Sequence, residues 1–153
     1  MKLQQNTLLA LYSLLEFAAA PMRQIAAAEI AATYGVSPHH LAKVLAELAR
    51  SGLVQSVRGV GGGYRFTANA KRLTLMDVVA LFEDALHEDS DQLQRSPAGR
   101  ALGSVLGEID EIARATLSSI TLATVLRAMQ RQAQSAPPSA PPPGRRARKL
   151  PAA

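Results

Sequence analysis

The run Arg58-Gly59-Val60-Gly61-Gly62-Gly63 constrains this chain more than any other segment. Four glycines in six residues exclude a helix interior. The run lies between two short stretches of strand character, Leu53–Val57 and Tyr64–Thr67, the second with Tyr64 and Phe66 alternating. Such a pattern predicts a β-hairpin whose glycine tip can adopt backbone conformations closed to other residues and approach another surface closely. Arg58 and Arg65 flank that tip. A nucleotide-cradling loop is the rival explanation for so many glycines, but it must open a helix, with Lys-Ser/Thr following in the Walker form. Here a strand follows and no such Lys is in place.

Three helices are predicted ahead of the hairpin. The first carries Leu8, Leu11, Tyr12, Leu15 and Ala19 at spacings of three and four, which predicts its apolar face, and Pro21 ends it. A buried helix is expected here in preference to a secretory signal, because Glu16 interrupts the apolar run and Gln4-Gln5-Asn6 precedes it. The run is also too short to span a bilayer, so a cytoplasmic protein is expected. The second helix covers about Ala26–Tyr34, with Ile30 and Tyr34 on one side, and Gly35 stops it. Val36-Ser37-Pro38 is then a turn in which Ser37 caps the third helix and Pro38 fits its first position. Leu41, Val44, Leu45 and Leu48 form the buried stripe of that helix, while His39, Lys43, Ala46 and Arg50 point the other way. Two short helices joined by a tight glycine-containing turn form a helix-turn-helix, and the hairpin behind it makes that reading a winged one.

Charge distribution agrees. Residues 1–73 hold eight Lys/Arg against Glu16, Glu29 and Glu47, a net of +5, whereas residues 74–134 hold five basic against nine acidic residues, a net of −4. A basic first half points to a polyanionic partner for that half alone. The second half opens with a helix over Thr74–Leu86, begun by a capping box at Thr74–Asp77 and buried through Leu75, Val78, Val79 and Phe82. A polar loop, His87–Arg95, precedes Ser96-Pro97, which repeats the Ser37-Pro38 device and opens a long helix to about Ser119. Thr121 caps a last helix carrying Leu122, Val125, Leu126 and Met129. Beyond it the chain holds six of the nine prolines and is expected to be disordered. The expected fold is therefore mainly α with a small β-hairpin wing.

The stretch GVSPHHLAKVLAELARSGLVQSVRGVGGGYRF, residues 35–66, resembles the recognition helix and wing of the Rrf-type family of winged-helix regulators, which includes IscR, NsrR and CymR. Weaker likeness covers Ile30-Ala31, Leu73–Val79 and Ile120–Leu122, so the resemblance spans about residues 1–130. It implies a DNA-binding domain over 1–86, dimerisation helices over 98–132 and a tail over 133–153, with 87–97 replacing a cluster-binding segment. It also implies a homodimer on a palindromic operator of double-stranded DNA, a repressor in most members. No catalytic activity is expected, since no Ser/His/Asp set, metal motif or nucleotide loop supports an enzyme. Leu102, Val105, Ile109, Ile112 and Thr116 recur in the three–four pattern that a dimerisation helix requires. A helix buried within its own chain would show the same pattern. Cluster-binding relatives place three Cys ahead of that helix. This chain has no Cys, so a cysteine-ligated iron–sulfur cluster is impossible and no cofactor is expected.

Candidate DNA contacts follow from position. Lys43 and Arg50 reach phosphates or base edges from the third helix, and Ser37 adds a helix N-terminus that favours anions. His39 and His40 hydrogen-bond to bases or phosphates. As helix neighbours they point about 100° apart and do not chelate one metal. Arg58, and Arg65 behind it, suit minor-groove insertion, with Gly61 and Gly62 giving the tip its shape. Tyr64 is expected to pack. Gly99, Gly103 and Gly107, every fourth residue of the long helix, leave open either a close partner backbone or drift. Two other readings stand beside DNA regulation. One is a winged helix that binds protein and not DNA; the other is a regulator sensing a metal or ligand through 87–91. An effector or protein partner of the regulator is left open, with no site assigned to it.

Overall fold

The computed structural model describes residues 3–83 and 95–135. Its elements are α1 (Gln5–Ala19), α2 (Ala27–Tyr34), α3 (Pro38–Arg50), β1 (Val54–Val57), β2 (Gly63–Phe66), α4 (Leu75–Val79), α5 (Pro97–Ser119) and α6 (Leu122–Ser135). The architecture is the expected one, helices with a two-stranded antiparallel hairpin.

Helix α1 is the axis of the core, packing against α3, α4, α6 and β2. Its buried residues are Thr7, Leu9, Ala10, Ser13, Leu14, Leu15 and Phe17, so the expected stripe is corrected. Leu8 and Tyr12 are exposed, and Leu15 alone of that stripe is buried. The helix is apolar nearly all round, and two faces satisfy the helical period. The one bearing Leu14 and Phe17 is buried, since two large side chains remove more apolar area from water. Tyr12 instead stacks on Tyr34, ring centroids 4.9 Å apart and nearly parallel. The Tyr34 hydroxyl donates to Glu16 Oε1 at 2.6 Å. Burial, then this carboxylate, raises the phenol's pKa above its ordinary value.

Helices α2 and α3 form the expected pair. Leu41, Val44, Leu45 and Leu48 are all buried, and the Ser37 hydroxyl accepts from the His40 N–H at 3.4 Å. The hairpin pairs Val54 with Phe66, Gln55 with Arg65, Ser56 with Tyr64 and Val57 with Gly63. A third, one-residue strand adds to it. The Ile25 N–H donates to the Tyr64 carbonyl and the Tyr64 N–H to the Ile25 carbonyl, both at 2.9 Å. A Cβ added at Gly63 would lie 2.5 Å from the Ile25 carbonyl oxygen, so this position has room for glycine alone.

Of the helix expected over 74–86, Leu75–Val79 is helical and the chain then turns through bonds from the Leu81 and Phe82 N–H groups to the Val78 and Val79 carbonyls, while 84–86 lie outside the described residues. Its capping box is present, with Asp77 N–H donating to Thr74 Oγ1 and Thr74 N–H donating to Asp77 Oδ2. The turn carries Glu83 to the start of α1, where its Oε1 accepts from the Gln4 N–H at 2.7 Å and from the Thr7 hydroxyl at 2.5 Å. Gln4 caps nothing with its own side chain. A carboxylate 79 residues away therefore serves α1's exposed N–H groups and favourable dipole end.

Helix α5 buries only Gly99. Helix α6 returns to the first half of the chain, its Leu122 N–H bonded to the Leu73 carbonyl and its Leu122 side chain fully buried in the core. It continues through Ser135, past residue 133 where the tail was expected, because Gln132, Ala133 and Gln134 extend a helix readily. The 87–91 segment and the rest of the tail lie outside the described residues.

Candidate nucleic-acid interface

The buried stripe of α3 determines what its other side presents. Exposed positions are Pro38 at its start, then His39, Ala42, Lys43, Ala46 and Arg50. The two alanines sit at the centre of that face, where their small side chains let the helix backbone come close to a flat partner. Sequence reading missed Ala42, although the helical period alone places it there.

The individual groups differ in freedom. Ser37 is exposed, with its hydroxyl engaged as the cap. Lys43 is exposed and has no hydrogen-bond or ion-pair partner among the described residues. Arg50 is exposed but held by Glu47 at 2.5 Å, a surface pair contributing about 0.5 kcal/mol or less and therefore exchangeable for a phosphate. His40 is half-buried; its Nε2 is sealed from solvent and has no hydrogen-bond partner among the described residues. Its ring is thus turned inward, apart from the exposed face that His39 and Lys43 share.

On the hairpin, Arg58 is exposed without a partner among the described residues. Arg65 donates to Gln55 Oε1 at 3.1 Å across the strand pair. The tip is a closed turn, the Gly62 N–H donating to the Gly59 carbonyl at 2.9 Å. Gly61 has φ +75°, a left-handed backbone that suits glycine. Val60, between them, is fully exposed at the apex. Tyr64 packs on the core near Phe17, as expected.

A third surface lies on α5. Leu102, Val105, Ile109 and Ile112 are 59%, 54%, 49% and 67% exposed, and Thr116 continues the stripe. The described residues of its own chain thus leave this stripe uncovered.

A family model described as Rrf2, iron-dependent transcriptional regulator, matches residues 3–128. The chain belongs to the Rrf2 family. It is 51% identical over 131 residues to the HTH-type transcriptional regulator BadM of Rhodopseudomonas palustris, an alignment covering 83% of this chain and 82% of the relative. The fold is similar to that of IscR from T. potens, with TM-score 0.67, 26% identity and coverage of 90% and 93% of the two chains. It is also similar to CymR, the global cysteine regulator of B. subtilis, with TM-score 0.66, 25% identity and coverage of 84% and 98%. This Rrf2 protein is accordingly a DNA-binding transcriptional regulator of winged-helix fold, and its family is one of regulators, not enzymes.

The family description specifies iron, and the donor set tests that. Cysteine-held clusters need thiolates, and the chain has none. Among the described residues no three His, Asp or Glu side chains gather as ligands. The residues present do not fit a thiolate-ligated cluster. No helix among the described residues is long and apolar enough to cross a membrane.

Proposed function

We propose that this Rrf2 protein is a homodimeric repressor of the cytoplasm that reads a palindromic operator in double-stranded DNA without an iron–sulfur cluster. The observation that carries the reading is the exposed face of α3. It presents Lys43 without a partner among the described residues, places two alanines at its centre, and has the acid on that helix, Glu47, tied to Arg50. Such a helix can lie in the major groove with Ser37, His39, Lys43 and Arg50 toward phosphates and base edges. The wing offers Arg58, with Arg65 behind it, to the minor groove, and the closed turn at Gly61 and Gly62 keeps its tip narrow. The bare stripe of α5 supports two-fold assembly, since an exposed apolar row of this length is costly in a monomer. A two-fold dimer matches a palindrome.

Fluorescence anisotropy on DNA from upstream of its own gene, at several salt concentrations, tests the reading. Each phosphate contact contributes about 0.9 to the slope of log affinity against log salt. Lys43→Ala should weaken binding and lower that slope by about 1. No salt-sensitive binding at all would favour a winged helix that docks protein instead.

A further inference from the structure

The inner side of α3 borders a cavity. Its volume is about 290 Å³, and among the described residues Asn6 of α1, His40, Lys43, Val44 and Glu47 of α3, and Leu81 and Phe82 beyond α4 line it. The four α3 positions follow i, i+3, i+4, i+7 and so share one helix edge. At roughly 30 Å³ per water, the space equals that of about ten waters, enough for a small organic molecule. The lining divides in two. Val44, Leu81 and Phe82 are apolar, whereas Asn6, His40 and Lys43 offer hydrogen-bond donors.

The charge of that lining is decided by its ion pairs. Glu47 is engaged by Arg50, while Lys43 has no partner among the described residues. Lys43 is thus the cation of that lining left open to an anion, beside an apolar wall. His40 adds a second, independent demand, because its Nε2 has neither solvent nor, among the described residues, a hydrogen-bond partner. Buried polar nitrogens are almost always paired. Rotation of the imidazole toward the cavity would pair it with a group seated there.

From this geometry we infer that the cavity is an effector site for a small monocarboxylate with an apolar body. The carboxylate takes the Lys43 ammonium at the rim, Asn6 and the turned His40 ring hold it, and the apolar body lies on Leu81, Phe82 and Val44. Resting on the reading of α3 as the DNA reader, the inference adds how that reader is released. A Lys43 engaged by the ligand is withdrawn from the phosphate backbone, so effector and DNA bind in opposition. By linkage, each weakens the other by the same factor.

Hexanoate is the probe, with hexan-1-ol and acetate as its two halves. Titrated into the ¹⁵N-labelled full chain without DNA, hexanoate should move the amides of Asn6, His40, Lys43, Leu81 and Phe82, and bind at least about tenfold tighter than either half. Saturating hexanoate should then weaken operator binding about five- to tenfold, a typical coupling. Asn6→Trp, which fills the cavity, should abolish the effect of hexanoate on that variant's own operator affinity. Shifts confined to the α5 stripe, hexanol binding as well as hexanoate, or an undiminished hexanoate effect in Asn6→Trp would each overturn the inference. The shift map on the unaltered chain decides the matter even if the variant does not fold. Operator binding measured without hexanoate reports separately on whether α3 reads DNA.

Discussion

Replacing Gly63 by Ala tests the third strand of the wing. The new Cβ would meet the Ile25 carbonyl oxygen at 2.5 Å, its carbon at 2.7 Å and the Ala26 nitrogen at 3.0 Å. All three are backbone atoms, which cannot swing aside as a side chain can. An ordinary carbon contact lies near 3.5 Å, so the two backbones must part by about 1 Å. Both Ile25–Tyr64 hydrogen bonds now measure 2.9 Å and would stretch past useful length. Losing the pair costs about 1 kcal/mol each, and the reduced chain entropy of Ala returns about 0.5 kcal/mol. Partial withdrawal of Ile25, 3% exposed, from the core adds to the cost. The expected net loss is about 2 kcal/mol, or a Tm lower by roughly 6–10 °C for a domain of this size. Calorimetry at matched protein concentration, with urea unfolding as a second measure, reads it. A Tm within 1–2 °C of the parent, with the Ile25 amide still protected from exchange, would refute the claim that the wing is anchored through Ile25.

Three further outcomes are expected. Gly107→Ala places its Cβ in open space on α5 and should stabilise the helix by about 1 kcal/mol. A loss of dimer in that variant, read by light scattering, would instead reveal a partner backbone pressed against this glycine. Ile109→Glu puts a charge in the centre of the bare α5 stripe and should shift the protein to monomer in analytical ultracentrifugation, leaving its helical circular dichroism intact. An unchanged dimer would place the interface elsewhere. Glu83→Ala removes the acceptor for Gln4 and for the fully buried Thr7 hydroxyl, and should cost about 2 kcal/mol in urea unfolding. Unaltered stability would mean that water serves the start of α1 equally well.

The segment from Gly35 to Phe66 was legible in the sequence because its signals are local. Ser37-Pro38 caps, the Leu41–Leu48 stripe and the glycine hairpin each specify their own geometry within a few residues, and all survive in the structure. The alternating three–four pattern of α5 was equally legible. Its exposure was not, because period alone cannot say whether a partner lies within the chain.

Tertiary structure decided what the local code left degenerate. Helix α1 carries apolar residues on more than one face, so its orientation was chosen by which set could be buried against α3, β2, α4 and α6 together. The Ile25 strand and the Glu83 cap depend on pairings between distant residues, for which no local pattern exists. The inward turn of His40 belongs with them. Sequence periodicity placed this residue beside the reading face, but the approach of α1 and the turn beyond α4 gave α3 a second edge with a cavity of its own. Residues alone thus determined that this chain folds a helix-turn-helix followed by a wing. Packing determined which side of its third helix is exposed, because burial is a property of neighbours and not of spacing.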